Sequence, residues 1–228
     1  MTSRAHPWAA IVPVKRLEFA KTRLSLPAGL RAELALAMAL DSVTAALSAT
    51  LVDVVVVVTD DVVAAAAMKE IGAEVVADAP DAGLNPALRH GASSATASRD
   101  VGGVVALSSD LPALSADALD VVLMHVARLQ MARMQMSGGT TAFVADAVGN
   151  GTSLLAASPS SAFDPRFGPD SARRHSAAGA VDVTAAADAR VRRDVDTLDD
   201  LAAAVALGCG PETTALLGQH PELDWPRL

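Results

Sequence analysis

The stretch VDVVVVVTDD (residues 52–61) decides the fold class of this chain. Five consecutive valines, residues 54–58, are followed at once by polar residues. Such a run of β-branched residues is typical of a strand that is buried on both faces, as in a parallel sheet covered by helices on both sides. We therefore expect residues 52–61 to contain a strand near the centre of an α/β sheet.

Strand and helix patterns alternate on both sides of this stretch. Strands are predicted at AAIVPV (9–14), AEVVADA (73–79), GGVVALSSD (102–110), TTAFVAD (140–146) and TSLLAAS (152–158), with a last short one around 193–196. Helices are predicted at 28–49, 61–72, 87–98 and 115–134, in a segment opening at 171, and after 197. This alternation predicts one α/β domain over 1–228, a mostly parallel twisted sheet flanked by helices, with ligands at the carboxyl ends of its strands.

Composition narrows the classes of protein that fit. The 228 residues are 51% apolar but only 3% aromatic, so the core must consist mainly of Val, Leu and Ala. A formal net charge of −8 argues against a surface that binds polymeric nucleic acid. Cys209 is the lone cysteine, which excludes an internal disulfide and fits a reducing cytosol. No apolar run is long enough to span a bilayer, so we expect a cytoplasmic protein without a membrane partner.

A basic loop follows the first predicted strand. VPVKRLEFAKTRL (12–24) places Lys15, Arg16, Lys21 and Arg23 within nine residues. Fixed positive charge at a strand end suits the phosphates of a nucleoside triphosphate and its pyrophosphate leaving group. Taken alone, the loop favours the alternative of a solvated basic surface, because it lacks a glycine-rich phosphate-binding motif.

Carboxylates follow two other predicted strands. Asp110 ends the strand 102–110, where it is a candidate ligand for a hard cation such as Mg²⁺, or else a capping or solvated loop residue. Asp194 and Asp196 alternate on the last short strand, so their side chains are expected to point the same way and to share a cation. The alternative is that Asp196 caps the next helix. Asp199 and Asp200 are predicted to stabilise the N-terminus of that helix.

The basic loop and the carboxylates together predict metal-dependent phosphoryl chemistry. Six motifs also carry a resemblance to a known family. The motifs are IVPVKRLEFAKTRLS (11–25), GLNPALRHG (83–91), LSSDLPAL (107–114), DAVGNGTSLL (146–155), FDPRFGPDSARRH (163–175) and DVDTLDDL (194–201). In their order and spacing the chain resembles the guanylyltransferases of deazaflavin coenzyme F-420 biosynthesis. That family has a GT-A-like nucleotidyltransferase fold and is related to the molybdenum-cofactor nucleotidyltransferases.

The resemblance implies roles for particular residues. Lys15, Lys21 and Arg23 would contact the nucleotide phosphates and serve catalysis with Asp110, while Asn85 and its neighbours would lie near guanine. Asp110, Asp194 and Asp196 would bind Mg²⁺, and Thr152, Gly168 and Ser171 would hold a phosphorylated three-carbon acid. Arg173, Arg174 and His175 are candidates to assist the carboxylate of that acid, although a solvated helix face is expected for at least two of them.

The resemblance also implies a reaction and partners. In the actinobacterial type, GTP and phosphoenolpyruvate would give enolpyruvyl-diphospho-guanosine and pyrophosphate. The alternatives are transfer to 2-phospho-L-lactate, a molybdenum-cofactor-type nucleotidyltransferase, and a catalytically silent nucleotide-binding partner of the next transferase in the pathway. The methionine-rich segment 131–136 is predicted to fill the core or to form a contact between the subunits of a homodimer.

Overall fold

The computed structural model describes residues 7–79, 81–133 and 139–221, whose strands form one seven-stranded sheet in the order β3-β2-β1-β4-β6-β5-β7. The strands are β1 (Trp8–Pro13), β2 (Val52–Val58), β3 (Glu74–Val76), β4 (Gly103–Leu107), β5 (Thr140–Ala145), β6 (Thr152–Ser158) and β7 (Val181–Asp182). Neighbours are parallel from β3 to β4 and at β5–β7, while β6 runs antiparallel to both β4 and β5. The prediction of a mostly parallel sheet is confirmed.

The valine run forms β2, as predicted, but it does not lie at the centre of the sheet. It is second from one edge, between β1 and the three-residue strand β3. Val54–Val58 are nonetheless buried, because helices cover both faces of the sheet. Burial on both faces determines the composition of this strand, whatever its place in the order.

Helices on opposite faces of the sheet enclose two separate apolar clusters. The helices of the described structure are α1 (Ala28–Ser48), α2 (Val62–Glu70), α3 (Leu84–Ser98), α4 (Ala116–Arg133), α5 (Ser171–Ala177), α6 (Ala189–Arg192), α7 (Leu198–Leu207) and α8 (Pro211–Gln219). Core residues of α1, α2 and α4 share one cluster with Ala10 and Val12, and those of α3 and α5 share the other with Ala9 and Ile11. Alternate residues of β1 therefore face opposite layers, as the pleat of a strand requires.

A third apolar cluster lies outside these two layers. It joins Leu24 and Leu26, at the end of the basic loop, to Met38 of α1, to Val195 and to Leu201 of α7. The basic loop and the acidic segment 194–196 are about 170 residues apart in sequence, so this apolar contact is what brings them to one edge of the molecule.

One predicted strand is absent, and one predicted helix begins at another residue. Residues 193–196 do not form a strand; they lie between α6 and α7, and the Val195 N–H donates to the Asp110 carbonyl (3.1 Å) instead of to a sheet neighbour. Helix α3 begins at Leu84, three residues before the predicted start. Gly83, with φ of 98°, ends the preceding turn, and Pro86 fits the first helical turn because its missing N–H would have no helical partner there.

Smaller predictions have mixed outcomes. Met131 is 73% exposed and does not fill the core, while residues 134–136 of the methionine-rich segment lie outside the described residues. Burial and the nearby Asp41 carboxylate raise the pKa of the Cys209 thiol to about 11, so this thiol stays protonated near neutral pH. None of the helices in the described parts of the chain has the length and apolar character needed to cross a bilayer.

Candidate active site

A cavity of about 710 Å³ opens at the carboxyl ends of β1 and β4. The predicted residues that line it are Lys15, Lys21, Arg23, Asp110, Asp196 and Gly168. A parallel sheet places the polar residues that follow its strands at this edge, so the position agrees with the sequence-based expectation. The cavity therefore brings the basic loop, two of the three metal-ligand candidates and one acceptor candidate into a single space, while Asp194 does not line it.

Lys21 lies between two of the predicted carboxylates. Its ammonium Nζ forms a salt bridge with the Asp110 carboxylate and lies 3.2 Å from Oδ1 of Asp196. Arg23 contacts the other oxygen of Asp196 at 3.3 Å. Burial alone would lower the pKa of the Lys21 ammonium, but Asp110 and Asp196 outweigh it, so this pKa lies above its ordinary value. Lys21 is thus a fixed, fully charged cation inside the cavity.

Local structure aims Lys21 into the cavity. The loop turns through a 3₁₀ helix, Leu17–Phe19, which is anchored where the Leu17 N–H donates to the Asp61 carboxylate (2.9 Å). Lys21 itself has a left-handed backbone with φ of 54°, and the Leu24 N–H donates back to its carbonyl (2.9 Å). A non-glycine residue in this conformation costs on the order of 1 kcal/mol, and such strain is concentrated at functional sites.

Backbone contacts hold the acidic segment beside Asp110. The Val195 N–H donates to the Asp110 carbonyl, and the Val195 side chain is buried in the same apolar cluster as Leu24. Thr197 then caps α7 in a capping box with Asp200, so the segment passes directly into a helix. The predicted stabilisation of the helix N-terminus by Asp200 is confirmed. Asp196 does not cap α7, which was the alternative to metal binding for this residue.

Asp194 completes a group of converging negative charges. Burial first, and then the carboxylates of Asp110, Asp146 and Asp196, raise the pKa of the Asp194 carboxyl to about 7. The three predicted metal ligands, Asp110, Asp194 and Asp196, therefore lie within electrostatic reach of one another, although they do not share a strand. The concentration of carboxylates exceeds what Lys21 and Arg23 neutralise directly, since neither cation contacts Asp194 in the described structure.

These carboxylates fit a hard cation by the type of donor they offer. Mg²⁺ prefers carboxylate oxygens together with substrate phosphate oxygens, and it requires only one or two carboxylates from the protein. Within residues 7–79, 81–133 and 139–221, no three acidic, histidine or cysteine side chains are already arranged around a common metal position. Between Asp110 and Asp196 that position is taken by the Lys21 ammonium.

Of the three predicted acceptor residues, only Gly168, with φ of 117°, lines the cavity. Thr152, at the start of β6, and Ser171, the first residue of α5, are buried, and the Ser171 hydroxyl donates to Thr152 Oγ1 (3.0 Å). The structure thus brings all three together, with the two hydroxyls bonded to each other.

His175 links Thr152 to the backbone of Arg166, and this link was not predicted from the sequence. His175 is 1% exposed, whereas Arg173 lies on the surface. Its Nε2 accepts the Arg166 N–H (2.9 Å), and Nδ1 lies 3.0 Å from Thr152 Oγ1. Because Nε2 is an acceptor, a neutral ring must carry its proton on Nδ1 and donate it to Thr152. Ser171 and His175 are four residues apart, so helical spacing was the signal that could have paired them.

We expect His175→Phe to lower the free energy of unfolding at pH 7 by about 2 kcal/mol, because the Arg166 N–H and the Thr152 hydroxyl lose a partner. Burial, followed by Arg174 and Arg166, lowers the pKa of His175 to about 4. Its contribution to stability is complete above pH 6.5 and is lost as the pH falls toward 4. Urea unfolding at pH 7 and pH 5 should therefore show a smaller difference between wild type and variant at pH 5.

His90→Phe, on α3, is the matched control and should leave stability almost unchanged at both pH values. A difference between wild type and His175→Phe that stays constant from pH 7 to pH 5 would contradict a neutral, bonded His175.

Two further side chains shape the loops around the cavity. Both polar atoms of the Asn85 amide bind the backbone of Phe167, its Nδ2 donating to the carbonyl (3.1 Å) and its Oδ1 accepting the N–H (2.7 Å). Contact of Asn85 with guanine stays a prediction, and its observed partner is the loop that contains Gly168. Asp146 accepts the N–H groups of three successive residues, 149–151, and so fixes the turn before Thr152. Sequence analysis did not single out Asp146.

The chain is similar to one family of known proteins over most of its length. The family model described as Guanylyl transferase CofC like matches residues 8–213. The chain is 49% identical over 215 residues to the phosphoenolpyruvate guanylyltransferase of Thermomonospora curvata, covering 94% of this chain and 90% of the relative. The protein of the same name from Streptomyces coelicolor is 48% identical over 211 residues, covering 92% and 95%.

A solved structure supports the fold. The nucleotidyl transferase Mth528 of Methanothermobacter thermautotroptrophicus superposes with a TM-score of 0.59 at 20% identity, covering 85% of this chain and 94% of that one. At this identity the likeness extends to the fold alone. The predicted nucleotidyltransferase architecture is confirmed.

Proposed function

The chain belongs to the family of CofC-like guanylyl transferases, and on that premise we propose that it transfers the guanylyl group of GTP to phosphoenolpyruvate. Relatives that are 48–49% identical over nearly the whole chain have this activity in their names. The structural observation that carries the proposal is the single cavity in which Lys21 bridges Asp110 and Asp196, opposite the loop that contains Gly168.

The reaction is one displacement at phosphorus. An oxygen of the phosphoenolpyruvate phosphate attacks the α-phosphorus of GTP, the bond from that phosphorus to the oxygen bridging to the β-phosphorus breaks, and pyrophosphate leaves with the electron pair. The products are enolpyruvyl-diphospho-5′-guanosine and pyrophosphate. The attacking phosphate is already ionised near neutral pH, so neither a general base nor a covalent enzyme intermediate is required, and catalysis consists of alignment and charge neutralisation.

Residues on the two sides of the cavity have different roles in this reaction. Lys21 and Arg23, together with Lys15 at the end of β1, would neutralise the triphosphate and the departing pyrophosphate. On the opposite side, the backbone at Gly168 and the Thr152 hydroxyl would offer N–H and O–H donors to the acceptor, while Ser171 and His175 hold the Thr152 oxygen by donating to it. Donors on one side and cations on the other would align the two phosphates for in-line attack.

A magnesium ion is part of the proposal. Asp110, Asp194 and Asp196 would hold it, and bound Mg²⁺ would neutralise negative charge on the phosphates during transfer. The raised pKa of Asp194 supports this assignment, because a carboxyl that is buried among other carboxylates is one that a cation would stabilise in its ionised form. Lys21 would then exchange its two carboxylate contacts for phosphate oxygens.

Release of pyrophosphate tests the proposal. The protein is incubated with Mg²⁺, with each of the four nucleoside triphosphates in turn, and with either phosphoenolpyruvate or 2-phospho-L-lactate. We expect rapid release with GTP and phosphoenolpyruvate and loss of that release in excess EDTA. Release with CTP, or release that needs neither acid, contradicts the proposal, and faster release with 2-phospho-L-lactate reassigns the acceptor. GTP binding without any release would indicate a silent nucleotide-binding partner.

The proposal also covers the setting of the reaction. A cytoplasmic location fits metabolite substrates and a lone cysteine. The diphosphate product is an activated intermediate, which makes a transferase acting on that product the natural partner of this protein.

A further inference from the structure

The loop between β6 and α5 carries Gly168 to the cavity, and side chains from two helices bind its backbone. Nε2 of His175, on α5, accepts the Arg166 N–H (2.9 Å). Asn85, on α3, binds both backbone polar groups of the next residue, Phe167: its Oδ1 accepts the N–H (2.7 Å) and its Nδ2 donates to the carbonyl (3.1 Å). The residue immediately before Gly168 is therefore held by a side chain that lies 82 residues earlier in the chain.

Asn85 fixes more than the position of Phe167, because a peptide unit is planar. The Phe167 carbonyl and the Gly168 N–H belong to one trans unit, in which the two groups point in opposite directions. With the carbonyl bound to Asn85, the Gly168 N–H must point away from Asn85. This N–H bonds to none of the described residues, whereas the Gly168 carbonyl accepts the Ser171 N–H (3.1 Å). The loop thus leaves one free donor in a residue that lines the cavity.

Glycine at position 168 does not select this orientation by itself. Glycine populates positive and negative φ about equally, so the peptide unit that precedes it can rotate at little cost. The Phe167 ring is buried against His175, with 5.3 Å between the ring centroids, and this contact anchors the side chain but not the peptide unit that follows. Asn85 supplies the missing constraint.

The orientation of this unit matters for an anionic acceptor. In the proposed function, the Gly168 N–H is one of the donors that meet the acceptor. If the unit were reversed, the Phe167 carbonyl oxygen would lie where that N–H now lies, and an anion would meet an acceptor instead of a donor. One side-chain amide therefore decides which of the two groups the anion meets.

We infer that Asn85 is a positioning residue for the acceptor, because by binding both backbone polar groups of Phe167 it fixes the peptide unit whose N–H meets the acceptor anion. This inference rests on the proposed function, since it requires an anionic acceptor at Gly168. It assigns Asn85 a role toward the acceptor, whereas the resemblance implies a position near guanine.

Two substitutions separate the bonds that Asn85 makes. Asn85→Leu has nearly the same shape and removes both bonds. Asn85→Asp keeps an oxygen that accepts the Phe167 N–H, but it replaces the amide donor by an oxygen that repels the Phe167 carbonyl. If the orientation of the peptide unit is what counts, the second substitution should be as harmful as the first.

Acceptor binding without turnover is the measurement. Phosphoenolpyruvate is titrated calorimetrically into protein saturated with Mg²⁺ and with a GTP analogue that has a methylene group between the α- and β-phosphorus. Both Asn85 variants should bind phosphoenolpyruvate at least about tenfold more weakly than the wild type, the scale for loss of one hydrogen bond to a charged group. Their affinity for the analogue, titrated separately, should stay within about threefold of wild type.

Arg89→Gln is the matched control. Arg89 lies one turn further along α3 and binds the same loop, through the Asp164 carboxylate (3.1 Å) and the Pro165 carbonyl (3.4 Å). Its replacement changes the charge of α3 by the same unit as Asn85→Asp but leaves the bonds to Phe167 in place. The affinity for phosphoenolpyruvate should stay within about threefold of wild type, because an exposed ion pair contributes little. Thermal melting should show that all three variants fold.

Several outcomes overturn the inference. Wild-type affinity for phosphoenolpyruvate in Asn85→Asp would make the bond to the carbonyl dispensable. An Arg89→Gln variant as weak as Asn85→Leu would make general attachment of the loop the cause. A loss of analogue binding that equals or exceeds the loss of phosphoenolpyruvate binding would return Asn85 to the nucleotide.

The two proposals can fail separately. Weaker acceptor binding in both Asn85 variants, with no pyrophosphate release by the wild type, would keep the positioning role and refute the reaction. Pyrophosphate release by Asn85→Leu with the wild-type KM for phosphoenolpyruvate would keep the reaction and refute the role of Asn85. If the wild type binds 2-phospho-L-lactate instead, the same variants are compared with that acid, and binding of neither acid overturns the inference.

Discussion

Asp110→Asn is expected to lower turnover on the order of 10³-fold, the scale seen when one fixed electrostatic group is removed from a transition state. The substitution keeps the shape of the side chain but removes the charge that holds Lys21 and would bind Mg²⁺. Folding should change little, because the contact that joins Asp110 to Val195 uses the backbone carbonyl and not the side chain. Pyrophosphate release measures the first effect and urea unfolding the second.

Asp117→Asn provides a control of the same type. Asp117 is exposed in the first turn of α4, away from the cavity, and its replacement should leave turnover within about twofold of wild type. Near-normal turnover in Asp110→Asn would make Asp110 a loop residue without a role in catalysis. A large loss of stability in that variant would instead indicate a structural carboxylate.

The sequence was sufficient for the fold because its strongest signals are local. The valine run of β2 and the apolar spacing within α1 and α4 are patterns inside a single element. Each pattern reflects the burial of that element against the rest of the sheet and its helices. The strand predicted at 193–196 failed for the opposite reason. Alternating Asp194, Val195 and Asp196 have the period of a strand, but the partner of Val195 is the Asp110 carbonyl in a loop, a long-range contact that a pattern of period two does not encode.

The candidate site could be predicted only in part for a related reason. Asp110 was identifiable since it follows a buried strand, and its convergence with Asp196 agrees with the expectation, although the linking cation is Lys21. The observed contacts of His175 and Asp146 were not predicted. Each acts by binding backbone groups in a different segment, and such contacts have no signature in the composition of either segment.

The roles of charge and backbone at Lys21 can be separated by two substitutions. Lys21→Met retains a long side chain and the strain of a left-handed residue, while Lys21→Gly also removes that strain. Both lack the ammonium, so both should lower turnover by about 10²- to 10³-fold, the range for loss of one preorganised charge at the phosphates. Lys21→Gly should nevertheless be the more stable of the two, by on the order of 1 kcal/mol.

Lys69→Met, in the last turn of α2, is the control for loss of a lysine and should be close to wild type in both measurements. The measurements are pyrophosphate release at saturating Mg²⁺ and thermal unfolding with and without Mg²⁺. In both Lys21 variants, Asp110 and Asp196 lose the cation between them, so Mg²⁺ should stabilise the variants more than the wild type. If Lys21→Met keeps its turnover, the ammonium only balances the carboxylates, and neutralisation of the phosphates must be assigned to Arg23 and Lys15. If Mg²⁺ stabilises wild type and variants equally, the carboxylates that Lys21 bridges are not the metal ligands.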